Sequence, residues 1–328
     1  MMCYTVRTIH ESRKKPRFSV FPEDKRLSYA RVIVNPVAGA GRTAKKWPQI
    51  MALLRGMGLH FDYDLTEAPG HAIELAKSAT KRGYKLVVSV GGDGTINEIV
   101  NGLYDSGNIN DVMLGIISTG AGNDYIRTFG IPRHYEEACH RLMNQKKLVV
   151  DLGVVEYACN QQIVKRLFVN FAGLGFDAEV VKATTQRYKA LGGTASYLMG
   201  LLTTFLFYKN RQVALKVDGE AEERKVCVVL ISNGKYGGGG MLAAPQANPS
   251  DGLLDVLIIG DLSKLDLLWS LPRVYKGTHL THPKVAVRRA KEVDIQPKQR
   301  TTLQADGELL GEAPARVYVL PAALNVVV

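Results

Sequence analysis

The stretch LVVSVGGDGTINEIVNGL, residues 86–103, joins a strand to a helix through three glycines. Residues 86–90 have the apolar character of a buried strand, and apolar residues from Ile96 to Leu103 recur at helical spacing. Glycines let a ligand approach the backbone, and the helix N-terminus directs N–H groups to the same spot. The turn therefore favours an anion, although Asp93 then needs a cation or a donor beside it. Packing alone also produces such turns.

Strands and helical patterns alternate through the first half of the chain, with predicted strands at 31–34, 61–65, 86–90 and 113–117. This alternation predicts an α/β domain with a doubly wound parallel sheet over residues 28–148. Ligands bind at the carboxyl ends of such strands. Four loops there are rich in Gly, Thr, Asn or Asp: NPVAGAGR (35–42), TEAPGHA (66–72), GGDGT (91–95) and STGAGND (118–124). Together they predict a nucleotide site.

Short strands separated by turn signals follow, which predicts a mainly antiparallel β-sandwich over residues 149–328. Helices are expected at 178–188, 194–208 and 264–275. The predicted strands are 148–155, 167–171, 213–217, 226–231, 254–259, 284–287, 293–295, 302–305, 315–319 and 324–328. Residues 1–27, with seven Lys or Arg and three acidic residues, are expected to be a flexible basic tail.

The net charge of +11 indicates an anionic partner: a nucleotide, a nucleic acid or an anionic membrane leaflet. No nucleic-acid-binding module is recognisable, so no nucleic acid is expected. The apolar segment 194–208 would reach about 22 Å as a helix, too short for a hydrocarbon core of about 30 Å. The first 27 residues lack an apolar run of signal-peptide length, which predicts a cytoplasmic protein. The sequence contains neither a CxxC nor an HExxH motif, so it predicts no zinc site.

Nine motifs in this order resemble the diacylglycerol kinase catalytic family, the soluble bacterial lipid kinases related to sphingosine and ceramide kinases. They run from about residue 30 to the C-terminus, so the resemblance is more specific than GGDGT alone. The motifs are NPVAG (35–39), Thr66 with GHA (70–72), GGDGTINEIVNGL (91–103), GND (122–124), NFAGLGFDAEVV (170–181), SNGKYGGGG (232–240), NPSDGLLDV (248–256), GTHLTHPKV (277–285) and ADGE (305–308).

The resemblance implies that ATP lies in the crevice between the two domains and that Asp93 and Asp124 belong to a magnesium and water network. The family's fourth loop commonly carries a hydroxyl where this chain has Ala121, and Thr119 is a candidate substitute. The implied nucleotide contacts are Asn35, Pro36, Gly39, Thr66, Gly91, Gly92, Asp93, Gly94, Thr95, Asn97, Glu98, Thr119, Ala121, Asn123 and Asp124.

The ADGE motif, by the same resemblance, supplies the general base from the β domain, with Asp306 as first candidate and Glu308 close behind. A second Asp-Gly-Glu occurs at residues 218–220. Asp-Gly is a preferred pair for tight hairpins, so composition does not choose between the two. Only the resemblance selects residues 306–308.

A structural magnesium is implied at NPSDGLLDV, held by the Asp251 carboxylate and the carbonyls of Asn248 and Leu253. Carboxylate and carbonyl oxygens suit this hard cation. The alternative is a simple Ser-Asp-Gly turn before a strand. The apolar segment 194–208 would line a groove for acyl chains, rest on a membrane surface, or form a core helix.

The resulting hypothesis is an ATP- and Mg²⁺-dependent lipid kinase that phosphorylates the hydroxyl of diacylglycerol or a related membrane lipid. Its partners would be the lipid substrate and the anionic inner face of the membrane, where it would bind peripherally. A homodimer stays open. Two alternatives stay open as well: an NAD kinase-like enzyme, and a nucleotide- or lipid-binding sensor without strong catalysis.

Overall fold

A computed structural model describes residues 29–188 and 193–328. The predicted basic tail, residues 1–27, lies outside the described residues. Element bounds below follow this structure.

The N-terminal domain is built on four parallel strands in the order β4-β3-β1-β2. These are β1 (Tyr29–Val34), β2 (His60–Leu65), β3 (Leu86–Gly91) and β4 (Met113–Ser118). Five helices accompany them: α1 (Arg42–Gly56), α2 (His71–Lys81), α3 (Asp93–Asp105), α4 (Asp124–Phe129) and α5 (Tyr135–Asn144).

Both faces of this sheet are covered, because successive strand residues point to opposite sides. On β3, Val87 joins the core formed with α2 and α3, whereas Val88 joins the core that contains Trp47 and Ile50 of α1. The predicted doubly wound α/β domain is confirmed. The fourth helical pattern proves to be two helices, α4 and α5, separated at Gly130, which has a φ of 65°.

The second domain is antiparallel, as predicted, and its described residues include three α-helices. The helices are α6 (Phe176–Lys182), which continues as a π-helical turn over Ala183–Arg187, α7 (Gly193–Phe207) and α8 (Lys264–Lys276). The strands are β5 (Lys147–Cys159), β6 (Gln162–Phe168), β7 (Phe171–Gly175), β8 (Arg211–Val217), β9 (Glu220–Ser232), β10 (Leu254–Gly260), β11 (Val285–Ala290), β12 (Glu292–Pro297), β13 (Thr302–Ala305), β14 (Glu308–Glu312) and β15 (Ala315–Val327).

Two strand predictions in this domain need correction. The segment predicted as one strand over 167–171 is broken between β6 and β7, because the N–H groups of Val169, Asn170 and Phe171 donate to the Asp306 carboxylate instead of to a neighbouring strand. The segments 315–319 and 324–328 are parts of one strand, β15, whose register shifts between Leu320 and Leu324.

Strand β15 connects the two domains. Its first part pairs antiparallel with β12 and β5, and its end pairs parallel with β4 through Asn325 and Val326. The parallel sheet therefore continues into the β domain without an intervening linker. This pairing holds the β domain beside the parallel sheet and its loops.

Candidate active site

The third and fourth glycine loops, which follow β3 and β4, pack directly on each other. The Gly91 carbonyl accepts hydrogen bonds from the N–H groups of Thr119 at 2.8 Å and Gly120 at 3.2 Å. A Cβ added to Gly120 would lie 2.6 Å from the Cα of Gly92, closer than real Cβ contacts allow. Glycine is thus required where the two backbones meet.

The first loop joins this pair through side chains. Asn35 Nδ2 donates to Thr95 Oγ1 at 2.9 Å, and the hydroxyls of Thr43 and Thr119 are 2.5 Å apart. The Thr119 hydroxyl is buried in this packing and does not replace the hydroxyl absent at Ala121, whose side chain is exposed. Three of the four predicted loops therefore form one cradle.

The remaining predicted contacts in these loops shape the backbone around the cradle. Gly39 has a φ of 61°, which favours glycine, and the Pro36 carbonyl accepts the Ala44 N–H at 3.3 Å. Asn123 adopts a φ of 60°, and its Oδ1 accepts the Ser118 hydroxyl at 2.7 Å. Gly94 is exposed in the first turn of α3.

Glu98 binds the backbone of the second loop. Its carboxylate accepts the N–H groups of Gly70 at 2.9 Å and Ala72 at 3.1 Å, at the start of α2. A carboxylate at a helix N-terminus satisfies the donors that a phosphate would otherwise use. Glu98 thus fixes this loop, and Thr66 anchors its start through an N–H bond to the Val34 carbonyl at 2.8 Å.

Asp93 and Asp124 are the two carboxylates of the cradle. Asp93 accepts the N–H groups of Asp124 at 3.3 Å and Tyr125 at 3.2 Å and so caps α4. Burial, followed by the nearby negative charge of Asp124, raises the pKa of Asp93 to about 6. Two close, buried carboxylates repel each other unless a proton or cation intervenes.

The β domain reaches Asp124 through its glycine-rich segment, residues 232–240. The N–H groups of Gly239 and Gly240 donate to the two Asp124 carboxylate oxygens at 2.8 and 2.7 Å. Burial raises the pKa of Asp124, and these two hydrogen bonds act in the opposite direction. Sequence reasoning gave this segment no role beyond the resemblance.

Asp306 lies in the turn between β13 and β14 and is saturated with donors. Its carboxylate accepts three backbone N–H groups, from Val169 at 2.7 Å and from Asn170 and Phe171 at 3.0 Å each. Two side chains of the N-terminal domain complete the set: Asn97 Nδ2 at 3.0 Å and the Tyr125 hydroxyl at 2.5 Å. Asp306 thereby joins the β domain to the helices that follow the third and fourth loops.

Tyr125 is fully buried and acts as a donor here. Burial and the adjacent Asp306 carboxylate raise the pKa of Tyr125 well above its ordinary value, so its hydroxyl stays protonated. The contact between Tyr125 and Asp306 was not predictable from the sequence, although Tyr125 directly follows Asp124.

Glu308 lies beside Asp306 and forms an ion pair with Arg166 of β6. Burial raises the pKa of Glu308, while Arg166 acts in the opposite direction. Arg166 Nη2 also donates to Asn97 Oδ1 at 2.9 Å, so Asn97 links both residues of the predicted catalytic pair. Arg166 was not predicted, since a lone arginine in a strand carries no spacing signal.

The loop predicted to hold a structural magnesium has side-chain contacts of its own. The Asp251 carboxylate forms an ion pair with Arg289 and accepts the Leu253 N–H at 3.1 Å, while Asn248 Oδ1 accepts the Ser250 N–H at 3.2 Å. A carboxylate already paired with a guanidinium is a poor fit for Mg²⁺. Within residues 29–188 and 193–328, no group of three or more His, Cys, Asp or Glu side chains could hold a metal ion.

Comparisons with known proteins agree with this architecture. Residues 29–155 match the diacylglycerol kinase catalytic domain, and residues 170–328 match the YegS C-terminal NAD kinase beta sandwich-like domain. A Bacillus subtilis protein named "Putative lipid kinase YtlR" is 30% identical over 315 residues, covering 92% of this chain and 99% of the relative. A diacylglycerol kinase of the same organism is 27% identical over 302 residues, with coverages of 92% and 96%.

A solved structure described as a diacylglycerol kinase from Bacillus anthracis shares the fold with a TM-score of 0.67 at 20% identity, covering 92% of this chain and 96% of that one. Among the described helices, none has the length and apolar character needed to cross a bilayer. The matched domains, their order and the near-complete coverage lead to one assignment. This chain belongs to the diacylglycerol kinase catalytic family.

Proposed function

We propose that the protein transfers the γ-phosphoryl group of ATP, in the presence of Mg²⁺, to the hydroxyl of diacylglycerol or a related membrane lipid. The supporting observation is the contact of Asp306 with Asn97 and Tyr125, which brings the β-domain turn against the glycine-loop cradle. Phosphoryl transfer needs positioned phosphates, a divalent cation and an acceptor for the hydroxyl proton. The cradle supplies glycine-loop amides for the nucleotide phosphates.

The acidic pair of the cradle fits a magnesium ion better than the loop around Asp251 does. Mg²⁺ is usually bound through one or two carboxylates together with phosphate oxygens. Asp124 and its neighbour Asp93, both with raised pKa values, are the residues that would hold it beside the nucleotide. When bound, the ion would offset charge on the transferring phosphoryl group.

The contacts also indicate that the carboxylates have different roles. Asp306 accepts five hydrogen bonds, which leaves it poorly placed to take a further proton, and Glu308 is paired with Arg166. Asp93 accepts only two backbone N–H groups, so its oxygens keep lone pairs for the cation, while burial raises the pKa of Glu308 against the opposing charge of Arg166. We therefore assign Asp93 to the cation, proton acceptance to Glu308 and positioning to Asp306.

The acceptor would come from a bilayer, so the enzyme would work at a membrane surface. The net charge of +11 favours an anionic leaflet, such as the cytoplasmic face of a membrane.

The test is transfer from γ-labelled ATP to diacylglycerol in mixed micelles, with NAD as the competing acceptor. We expect magnesium-dependent labelling of the lipid and a loss of at least about 100-fold in Asp93→Asn, because the variant removes a carboxylate that would hold the cation, and charge stabilisation by such a cation is worth several kcal/mol. Labelling of NAD would favour an NAD kinase-like enzyme. Nucleotide binding by folded protein without transfer to any lipid would favour the sensor alternative.

A further inference from the structure

Helices α7 and α8 hold most of the large apolar side chains that the described part of the chain leaves exposed. Eight of the fourteen lie on these two helices: Leu198, Leu202, Leu206 and Phe207 on α7, and Leu265, Leu268, Trp269 and Tyr275 on α8. Scattered exposed apolar residues are ordinary, whereas a concentration of them marks an interaction surface.

Helix α7 has two apolar faces. Tyr197, Leu201 and Phe205 pack against the core beneath the β-sheet, which also receives Leu267 of α8. Leu198, Leu202 and Leu206, spaced four residues apart, remain exposed on the other face. The core and surface interpretations of the segment 194–208 thus apply to different faces of the same helix.

Helix α8 is the more exposed of the two, because none of its residues is buried. Leu265 is 70% exposed and Trp269 is 77% exposed, and together with Leu268 they share one face by helical spacing. The helix is nevertheless well formed: Ser263 and Asp266 build a capping box at its start. Tryptophan and tyrosine on such a face are typical of residues at a membrane–water interface.

Positive charge predominates in the two segments that carry this apolar surface. Residues 193–211 and 264–284 contain six Lys or Arg and one acidic residue, Asp266. Asp266 is already paired with Lys284 at 3.1 Å. Apolar helices with an excess of cations complement a bilayer with anionic headgroups, whereas a neutral protein partner would leave the charge unmatched.

A short path of backbone contacts leads from α8 to the acidic pair of the cradle. The Val274 carbonyl of α8 accepts the Leu242 N–H at 3.1 Å, and Gly237 and Met241 exchange two backbone hydrogen bonds at 3.0 and 2.9 Å. Gly239 and Gly240, inside that turn, donate to Asp124. Backbone hydrogen bonds therefore connect α8 to the segment that contacts Asp124.

We propose that α8 is a membrane-docking helix, which inserts Leu265, Leu268 and Trp269 into the interface of an anionic bilayer. The proposal rests on the proposed function for the purpose of docking, which is access to a lipid acceptor. Binding itself is measurable without ATP or diacylglycerol, so the two proposals fail separately.

Tryptophan emission provides a direct measurement, because the chain has two tryptophans and Trp47 is only 7% exposed. The full-length protein is titrated with phosphatidylglycerol vesicles and, separately, with phosphatidylcholine vesicles. We expect a blue shift of Trp269 emission with the anionic vesicles, and its loss in Trp269→Phe. Binding to anionic vesicles without any blue shift would overturn the proposal, as would the absence of binding.

A double variant and a matched control test whether α8 is the helix that binds the vesicles. Leu265→Ser with Leu268→Ser should weaken sedimentation with phosphatidylglycerol vesicles by roughly 10-fold or more, because two leucines lose their apolar environment. Ile163→Ser on β6 removes an equally exposed apolar residue, 70% exposed, and should leave binding unchanged. Circular dichroism confirms folding of each variant.

Two outcomes of this experiment would contradict membrane docking. Equal vesicle binding by the double variant and the Ile163→Ser control would place the membrane surface elsewhere. Sedimentation equilibrium that shows a dimer in the parent and a monomer in the double variant would make α8 a contact between copies of this chain. Vesicle binding that depends on α8 in a protein without kinase activity would support docking and reject the proposed function alone.

Discussion

The chain contains the tripeptide Asp-Gly-Glu twice, and the two copies form nearly the same turn. Asp218 and Asp306 both have a φ of 45°, and the glycines that follow have φ values of 91° and 82°. The first turn joins β8 to β9 and the second joins β13 to β14. Each aspartate also accepts backbone N–H groups from a distant segment, in the case of Asp218 those of Lys291 and Glu292.

The surroundings of the two turns differ. Asp218 binds these backbone groups at an exposed position, and Glu220 pairs with Arg288 at the surface. Asp306 adds two side-chain donors from the other domain, Asn97 and Tyr125. The tripeptide therefore encodes a hairpin, and only the packing of one hairpin against the glycine loops gives it a place in a candidate active site.

Truncation of each aspartate tests this difference in stability and should give the largest effect. Asp306→Ala leaves buried donors without an acceptor and should lower the free energy of unfolding by about 3 kcal/mol or more. Asp218→Ala, at an exposed turn, should cost less than about 1 kcal/mol. Urea denaturation of both variants measures the contrast. Equal losses would show that Asp306 is an ordinary turn residue.

Asp93 extends the comparison to a half-buried carboxylate that accepts only two hydrogen bonds. Its folded pKa of about 6 exceeds its ordinary value, so ionisation disfavours the folded state and stability is lost as pH rises from about 4 to 6. In metal-free protein, Asp93→Asn should raise the free energy of unfolding by on the order of 1–3 kcal/mol at pH 8 and by little at pH 4.

Urea melts of the parent and Asp93→Asn at these two pH values check this expectation. A gain of equal size at both would mean that Asp93 is not penalised by its charge. A more stable variant would also ensure that its loss of phosphoryl transfer is not the result of unfolding.

The arginines paired with the two glutamates should give the smallest effects. The Arg166 side chain is 17% exposed, and its removal leaves Glu308 without a cation, so Arg166→Gln should cost about 1–2 kcal/mol. Arg288→Gln breaks a pair whose Glu220 is 78% exposed and should cost less than about 0.5 kcal/mol. Thermal denaturation compares the stabilities of the two variants. A larger loss of stability in Arg288→Gln than in Arg166→Gln would contradict the assignment of Arg166 to the more buried ion pair.

Local pattern was enough to predict the two-domain fold. Strand and helix periodicity gave the four parallel strands and the antiparallel domain, because burial imposes those periods on each segment. The pairing of β15 with β4 was not predictable in this way, since its apolar end reads like any buried strand. The break at residues 169–171 depends on Asp306, more than 130 residues away in sequence.

The residues of the candidate site also fall into those that local pattern predicts and those that depend on the fold. The glycine loops were visible in the sequence because close backbone approach requires glycine. Arg166, Tyr125 and the N–H groups of Gly239 and Gly240 were not singled out, because their roles depend on partners brought together by the fold. Glu98, a predicted nucleotide contact, binds the start of α2 through its carboxylate, a partner that local pattern did not indicate.

The most direct measurement compares phosphoryl transfer to diacylglycerol by Asp306→Asn and Asp218→Asn. Asparagine keeps the shape of each side chain and removes its charge. If the β-domain turn and the glycine loops form one kinase site, Asp306→Asn should lose about 100-fold or more in kcat while it melts as a folded protein, and Asp218→Asn should stay within about 2-fold of the parent. Equal activities of the two variants would contradict the account.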